Sequence, residues 1–340
     1  DSFTLTPDTT APTVTITTSD ALTGDNSIST QSYTFTGTAS DPGSALINGV
    51  KNIYWQIQPE GTAVQEADWS TLINGSPESW QISKTFENQG KYTLYVKADD
   101  KAGNMATGDG IKHINFTVDY EAPKVTLKIN DKNDSEIKQS STNDNQLSFV
   151  YTATDSWALA SNQPVVTVKK DSVVLNANKY TKTSGKITFV SPEDGEYSVT
   201  VSATDKAGRT PVVETKTIKL DTTGPEITIT TPTEENLGGW FKSNSILFSG
   251  AASDAAGSNI SGIYYSTDST APDSDLSDSK WIRATGSENW RFTLSQSDTS
   301  GQSLKISAKD SLGNITPVSS YTIKVDTKVP ELQELAVTDE

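Results

Sequence analysis

The sequence predicts an all-β protein, built as a tandem array of sandwiches of about one hundred residues each. Three observations carry that prediction. The pentad Asp-x-x-x-Pro opens a segment four times, as Asp8 to Pro12, Asp119 to Pro123, Asp221 to Pro225 and Asp326 to Pro330, at steps of 111, 102 and 105 residues. Two further marks recur inside each segment: Ala39-Ser40-Asp41, Ala153-Thr154-Asp155 and Ala252-Ser253-Asp254, then Asp100-Lys101-Ala102-Gly103-Asn104, Asp205-Lys206-Ala207-Gly208-Arg209 and Asp310-Ser311-Leu312-Gly313-Asn314. Between the marks, apolar residues alternate with polar ones at the period of a half-buried strand.

In the first segment the strands follow one another in order. Val14 and Ile16 alternate with threonines; Tyr33 and Phe35 lead to Asp41; Ile53, Trp55 and Ile57 make the next run. Trp80 and Ile82 follow, then Tyr92, Leu94 and Val96, and last Ile114, Phe116 and Val118. Six or seven strands in about 100 residues, with no helical stripe, specify an immunoglobulin-like β-sandwich. A TIM barrel or a Rossmann domain would need long helices between the strands. The third segment repeats the first closely: Gly262-Ile263-Tyr264-Tyr265 matches Asn52-Ile53-Tyr54-Trp55, Trp281 matches Trp69, and Asn289-Trp290-Arg291-Phe292 matches Ser79-Trp80-Gln81-Ile82. The second segment lacks the paired tryptophans, running Val165-Val166-Thr167-Val168 and Gly195-Glu196-Tyr197-Ser198-Val199, and is a divergent subtype. The expected borders are a tail at 1–7, sandwiches at 8–118, 119–220 and 221–325, arranged end to end, and the first strand of a further repeat at 326–340.

On the Asp-Thr-Thr-Ala-Pro opener and the Asp-Lys-Ala-Gly-Asn type of closing segment, the chain resembles bacterial immunoglobulin-like repeats, the modules of large surface adhesins and stalk regions. The resemblance covers essentially all 340 residues. It implies an extracellular, secreted or cell-surface location, a role as adhesive segment or spacer, and junctions that calcium can stiffen. Such repeats serve as tips and as plain spacers, so the resemblance does not name a receptor, protein or glycan.

Composition narrows the function further. There is no cysteine, which removes disulfides, thiolate catalysis and cysteine-ligated zinc together. Forty-three acidic residues against 27 basic ones give a formal charge of −16, and that charge repels nucleic acid and anionic membrane surfaces. No apolar run approaches the roughly 18 residues of a membrane span, so no membrane insertion is expected in this segment.

The repeated acids are expected to meet. In an immunoglobulin topology the loops after the second and sixth major strands lie at the pole where the domain's first strand begins. Asp8, Asp41 and Asp100 should therefore converge, as should Asp119, Asp155 and Asp205, and Asp221, Asp254 and Asp310. Three carboxylates in one small volume are unfavourable unless separated or neutralised, and a hard cation with oxygen ligands neutralises them. Calcium at each junction, with Asn104 and Asn314 beside the acids, is one reading of these residues. The other is turn chemistry: Asp-x-x-Gly-Asn suits a type I turn followed by a left-handed glycine, and Asp41-Pro42-Gly43 is an ordinary turn. At the second site Arg209 replaces the asparagine, and its guanidinium would supply neutralising charge itself.

Trp55, Trp80 and Trp290 stand in step with core residues, and Trp69 and Trp281 are placed to cover a sandwich edge. Trp157 and Trp240 do not recur, are expected in loops, and are the ligand-contact candidates. The single histidine, His113, is expected to face solvent from the last strand of the first segment. With no second histidine, no cysteine, no nucleophile elbow and no phosphate-cradling loop, no catalytic residue is assigned and no enzyme is expected. Acids that recur in every repeat point to architecture, whereas an active site would occur once. The sequence thus points to a non-catalytic adhesin or stalk segment among neighbouring repeats of the same chain. The alternatives are glycan-binding accessory modules of a polysaccharide-active enzyme and a component of a surface layer or filament.

Overall fold

The structure, a computed structural model, describes residues 7–18, 26–42, 49–72, 78–132, 141–142, 146–209, 211–255 and 257–331. The segments Asn74-Gly75-Ser76 and Leu332 to Val337, and Gly43 of the first turn, lie outside them. Packing divides the chain into two compact units, one of residues 1–127, 151–166 and 200–214, the other of 128–150, 167–199 and 215–340.

In the first repeat, eight strands run in order: β1 (Thr13–Ile16), β2 (Ser27–Ile28), β3 (Ser32–Ser40), β4 (Val50–Pro59), β5 (Ser70–Thr71), β6 (Ser79–Thr85), β7 (Gly90–Asp100) and β8 (Lys112–Val118). They form a three-stranded sheet, β1-β3-β6, and a five-stranded sheet, β2-β8-β7-β4-β5. Pairing is antiparallel except where the two-residue β2 adds in parallel to the end of β8. The period-two pattern decides which side chains go inward. Val14, Phe35, Trp80 and Ile82 from one sheet pack with Ile53, Leu94, Val96 and Phe116 from the other in one buried cluster.

The middle repeat has β9 (Lys124–Ile129), β10 (Ser141–Thr142), β11 (Ser148–Thr154), β12 (Val165–Lys170), β13 (Val173–Val174), β14 (Tyr180–Thr183), β15 (Lys186–Phe189), β16 (Gly195–Ala203) and β17 (Val212–Leu220). Its sheets have the orders β10-β17-β16-β12-β13 and β14-β15-β11-β9. In its core Phe189 packs edge-on against Phe149 and Tyr197, with ring centroids 6.0 and 4.6 Å apart.

The third repeat copies the first with β18 (Glu226–Thr231), α1 (Glu234–Leu237), β19 (Trp240–Phe241), β20 (Ser245–Ser253), β21 (Ile260–Ser266), β22 (Ile282–Arg283), β23 (Asn289–Ser295), β24 (Thr299–Asp310) and β25 (Ser319–Val325). The sheet orders are β18-β20-β23 and β19-β25-β24-β21-β22. One difference from the sequence expectation appears here. Trp240 is not in a loop; β19 pairs in parallel with Lys324–Val325, the same addition that β2 makes to β8. The two-residue length of β19 hid it, because alternation needs a longer run to register. Among the described residues no helix is long and apolar enough to cross a membrane.

Trp80 and Trp290 are the keystones of their sandwiches, 0% and 2% exposed. Each lies opposite a glycine in register, Gly37 and Gly250. A methyl at Gly37 would collide with the Trp80 indole and the Thr15 carbonyl, and one at Gly250 with Trp290 and the Thr228 carbonyl. Each indole N–H donates to a carbonyl one strand over, Thr38 or Ala251, at 3.2 Å. Trp55 is half-buried against the first core. Trp69 lies under Lys97, whose ammonium is 4.1 Å from the ring centroid, and Trp281 is buried with Ala271 and Leu276, its N–H on the Pro272 carbonyl at 2.9 Å. His113 is exposed on β8 beside Tyr95.

The slot geometry predicts that Gly37→Ala destabilises the first repeat by about 1–3 kcal/mol through overpacking, and Trp80→Ala by about 3–5 kcal/mol through the cavity it leaves. Urea titration followed by fluorescence and far-UV circular dichroism checks both. An unchanged midpoint for Gly37→Ala would show that the indole does not occupy this slot.

Candidate metal centre

The sandwich topology carries the recurring acids to common points. In the first repeat β3 ends one residue before Asp41 and β7 ends on Asp100, both at the pole where Asp8 leads into β1. In the second, β11 ends before Asp155 and β16 two residues before Asp205, while Asp119 follows β8 directly. In the third, β20 ends before Asp254, β24 ends on Asp310, and Asp221 follows β17. In each set, one oxygen from every carboxylate lies within 4.8 Å of the others. Asp8, Asp41, Asp155 and Asp254 are half-buried; Asp100, Asp119, Asp205, Asp221 and Asp310 are buried.

Turn-making and acid-gathering use the same residues. Asp100 Oδ1 accepts the Asn104 N–H at 2.8 Å, and Gly103 stands at φ +94, the left-handed position the turn requires. The Asn104 side-chain amide donates to Asp100 Oδ2 at 2.8 Å and to the Asp8 carbonyl at 3.1 Å. Asn314 repeats this, donating to Asp310 Oδ2 at 2.8 Å and the Asp221 carbonyl at 2.9 Å. Both asparagines therefore brace the entry acid against the closing turn. Burial works to raise the Asp100 carboxyl, but the Asn104 side chain and the N–H groups of the turn outweigh it and hold it below the usual range.

The three sets differ in what remains unsatisfied. In the second, Asp119 Oδ1, Asp155 Oδ2 and Asp205 Oδ2 are all buried without a hydrogen-bond partner. Asp119 and Asp205 are only 2% and 1% exposed. Burial, then the charges of Asp155 and Asp205, push the Asp119 carboxyl up to about 6. Arg209 lowers the Asp119 carboxyl in part but hydrogen-bonds none of these three oxygens: its backbone N–H holds Asp205 Oδ1 at 3.1 Å, while its guanidinium donates to the Ser29 carbonyl at 2.9 Å. In the first set Asp8 Oδ2 is the orphan. In the third, the Ser258 hydroxyl contacts Asp254 Oδ2 at 2.8 Å and Asp310 Oδ2 at 2.7 Å, and its N–H donates to Asp221 Oδ2 at 3.2 Å. Burial comes first in raising the Asp221 carboxyl, with Asp254 and Asp310 adding to it.

An all-oxygen, net-negative donor set suits a hard divalent cation. Unpaired carboxylate oxygens in a buried site are costly unless something positive faces them. By that test the second set fits a cation best, the first fits in part, and the third is already laced by serine.

A second recurrent device was not recognised in the sequence. Gln89 Oε1 accepts the N–H groups of Tyr120 and Glu121 at 2.8 and 2.9 Å, and the Tyr120 hydroxyl donates to the Glu87 carbonyl at 2.9 Å. Asp194 Oδ1 takes the N–H and hydroxyl of Thr222, both at 2.7 Å, and its Oδ2 the Thr223 hydroxyl at 2.5 Å. Asp298 Oδ1 takes the N–H of Thr327 at 3.0 Å and its hydroxyl at 2.8 Å. Each repeat thus grips the chain that leaves it as its entry acid enters the next set. The signal was available as a Gln or Asp about 30 residues before each opener, but Gln in one repeat and Asp in two disguised it.

Two opposite pH dependences follow for the metal-free protein. Asp119 is raised in the fold, so its contribution is fully present below the carboxylate's unfolded value and is lost as pH rises toward about 6. Asp194 is lowered because the Thr223 and Thr222 hydrogen bonds overcome its burial, so its contribution is present near neutrality and lost as pH falls through the acid range. Chelated Asp119→Asn should be more stable than wild type at pH 7.5 by about 1–2 kcal/mol, and should lose that advantage at pH 4.5. Asp194→Ala should show its largest loss at pH 7.5. Calorimetry at the two pH values checks both signs.

Residues 121–222 match the family model described as a bacterial Ig-like domain. Among solved structures, fibronectin(III)-like modules of Clostridium thermocellum CbhA are 15% identical, covering 62% of this chain and 100% of that one, at a TM-score of 0.27. Extracellular domains 3–5 of Drosophila OTK are 12% identical, covering 92% and 97%, at 0.29. A titin fragment is 13% identical, covering 61% and 100%, also at 0.29. Superpositions this loose carry no weight for function. No curated protein matches the sequence. The family match and the two-sheet architecture agree: residues 121–222 of this chain are similar to a bacterial Ig-like domain.

Proposed function

We propose that this chain is a non-catalytic extracellular segment of a bacterial surface protein, an adhesin or stalk portion whose repeat junctions are stiffened by calcium. One observation carries the cation: Asp119, Asp155 and Asp205 converge to within 4.8 Å through one oxygen each, and each also has a buried carboxylate oxygen with no hydrogen-bond partner. Calcium takes six to eight oxygen ligands at about 2.3–2.6 Å and tolerates irregular geometry, which suits carboxylates delivered from three separate strand ends. The Asp8, Asp41 and Asp100 set and the Asp221, Asp254 and Asp310 set would hold it less tightly, since hydrogen bonds already engage more of their oxygens. Bound there, the ion removes the repulsion between carboxylates and fixes the entering chain to its own turn. The opener gripped by the preceding repeat through Gln89, Asp194 or Asp298 is then held on both sides.

A structural role is also supported by repetition. Each repeat places its acids in the same way, in a chain with one histidine and no cysteine. An acidic surface keeps such repeats from self-associating. The partner at the far end, a receptor of protein or glycan, is part of the same proposal.

Calcium at 100 times its dissociation constant should stabilise the protein by about 2.7 kcal/mol per site, because the ion binds the folded set alone. Differential scanning calorimetry in millimolar calcium and in excess chelator reads this, with small-angle scattering for particle length. The expected result is a higher melting temperature and a longer, stiffer particle in calcium, with Asp205→Asn losing most of the effect. Coincident curves and lengths would leave these acids as turn and linker residues only.

A further inference from the structure

Trp157 stands apart from the tryptophans of the cores. It is 41% exposed, and the equivalent positions after Asp41 and Asp254 hold Pro42-Gly43 and Ala255-Ala256. It lies on the wall of a cavity of about 360 Å³ in the first compact unit, with Lys91, Glu60, Asn115, Thr117 and Lys206 around it. That volume is within the range of small-ligand sites. Lys91, Lys206, Glu60 and Asp119 put charges of both signs on the wall, in a chain whose net charge is −16. The lining residues supply both hydrogen-bond donors and acceptors beside one indole.

We propose that this cavity binds a neutral saccharide, with Trp157 as the platform on which a pyranose ring stacks. A sugar ring offers an apolar C–H face to an indole and a rim of hydroxyls, each both donor and acceptor. Asn115, Thr117, the Lys91–Glu60 pair at 3.8 Å and Lys206 meet that rim. An anionic ligand would face Glu60 and Asp119, and a purely apolar one would strip water from the lysines without replacing it.

The platform is preorganised. Asp155 Oδ1 accepts the N–H groups of Trp157 and Ala158 at 2.9 and 3.1 Å, and Ser156 is tied to Glu121 Oε2 at 3.0 Å. Beyond Trp157, the Ala158 carbonyl accepts the Lys206 N–H at 3.0 Å and the Ala160 N–H donates to the Thr204 carbonyl at 2.9 Å. The loop that presents the indole is therefore built on an acid of the second set, and Asp119 of that set also faces the cavity. Saccharide affinity should accordingly fall when the cation is removed, an arm of the inference that rests on the calcium reading above.

The test is isothermal titration calorimetry of the full chain with three neutral trisaccharides, cellotriose, maltotriose and triacetylchitotriose, in calcium and in chelator, with intrinsic fluorescence in parallel. At least one sugar should bind in calcium and perturb the fluorescence. Trp157→Ala, half-exposed and expected to fold with unchanged circular dichroism, should weaken that sugar by about tenfold or more, while Trp157→Tyr stays within a few fold. Trp240→Ala, whose side chain lies outside the cavity, should leave affinity unchanged. Binding that is equal with and without chelator keeps the saccharide site and overturns its link to the cation. No binding by any of the three in calcium, with calcium still raising the melting temperature, overturns the saccharide site and leaves the calcium reading standing. Binding that survives Trp157→Ala places the sugar elsewhere and overturns the proposal as well.

Discussion

The carboxylate that closes each sandwich, Asp100, Asp205 or Asp310, is the constraint from which the rest follows. Each is no more than 1% exposed, so each must be satisfied from within. Its Oδ1 takes a backbone N–H of the turn it starts, which forces a left-handed glycine three residues on at Gly103, Gly208 and Gly313. That turn carries residue 104, 209 or 314 back toward the entering chain. In two repeats the asparagine there hydrogen-bonds the carbonyl of the entry acid, so the closing turn and the opening residue become one element. The second acid, at the end of β3, β11 or β20, arrives at the same pole because the strands that deliver it run to that end of the sandwich.

Arg209 shows how one substitution redistributes this arrangement. Asparagine is short and presents its amide to both the closing and the entry acid. Arginine is long, and its guanidinium reaches past them to the Ser29 carbonyl. The entry carbonyl and three carboxylate oxygens are left without the bridging amide, and burial raises the Asp119 carboxyl. The positive charge offsets the rise of the Asp119 carboxyl only in part, because its geometry leaves three carboxylate oxygens without a hydrogen bond.

Much of this was legible in the sequence because it rests on periods. Alternation located the main strands, the repeats aligned Asp8, Asp119 and Asp221, and topology alone required the acids of each repeat to share a pole. What was not legible depends on where individual hydrogen bonds go. Ser258 laces the third set, whereas Ser156, one residue after Asp155, points instead to Glu121. Loop conformation separates the two cases, and serine has no periodic signal. A two-residue strand gives no alternation to read, so the sequence predicts a loop at Trp240 where the structure has β19. The grip of Gln89, Asp194 and Asp298 on the departing chain has no single sequence mark, because amide and carboxylate can both accept the same N–H groups.

The differences among the sets have a mechanical meaning if a cation fills them. A set already satisfied by hydrogen bonds gains little from an ion and keeps its geometry without one. A set with orphan oxygens gains most from the ion and loses most on its removal, since the repulsion between carboxylates returns. The second set would therefore be the junction whose stiffness follows calcium, with the first and third nearer to fixed. It is also the set whose Asp155 holds the Trp157 loop, so the segment most sensitive to the ion is the one that shapes the cavity. Recurrence of the acids goes with the architecture, and departure from that recurrence, at Arg209 and Trp157, is where the proposed cation and saccharide sites would meet.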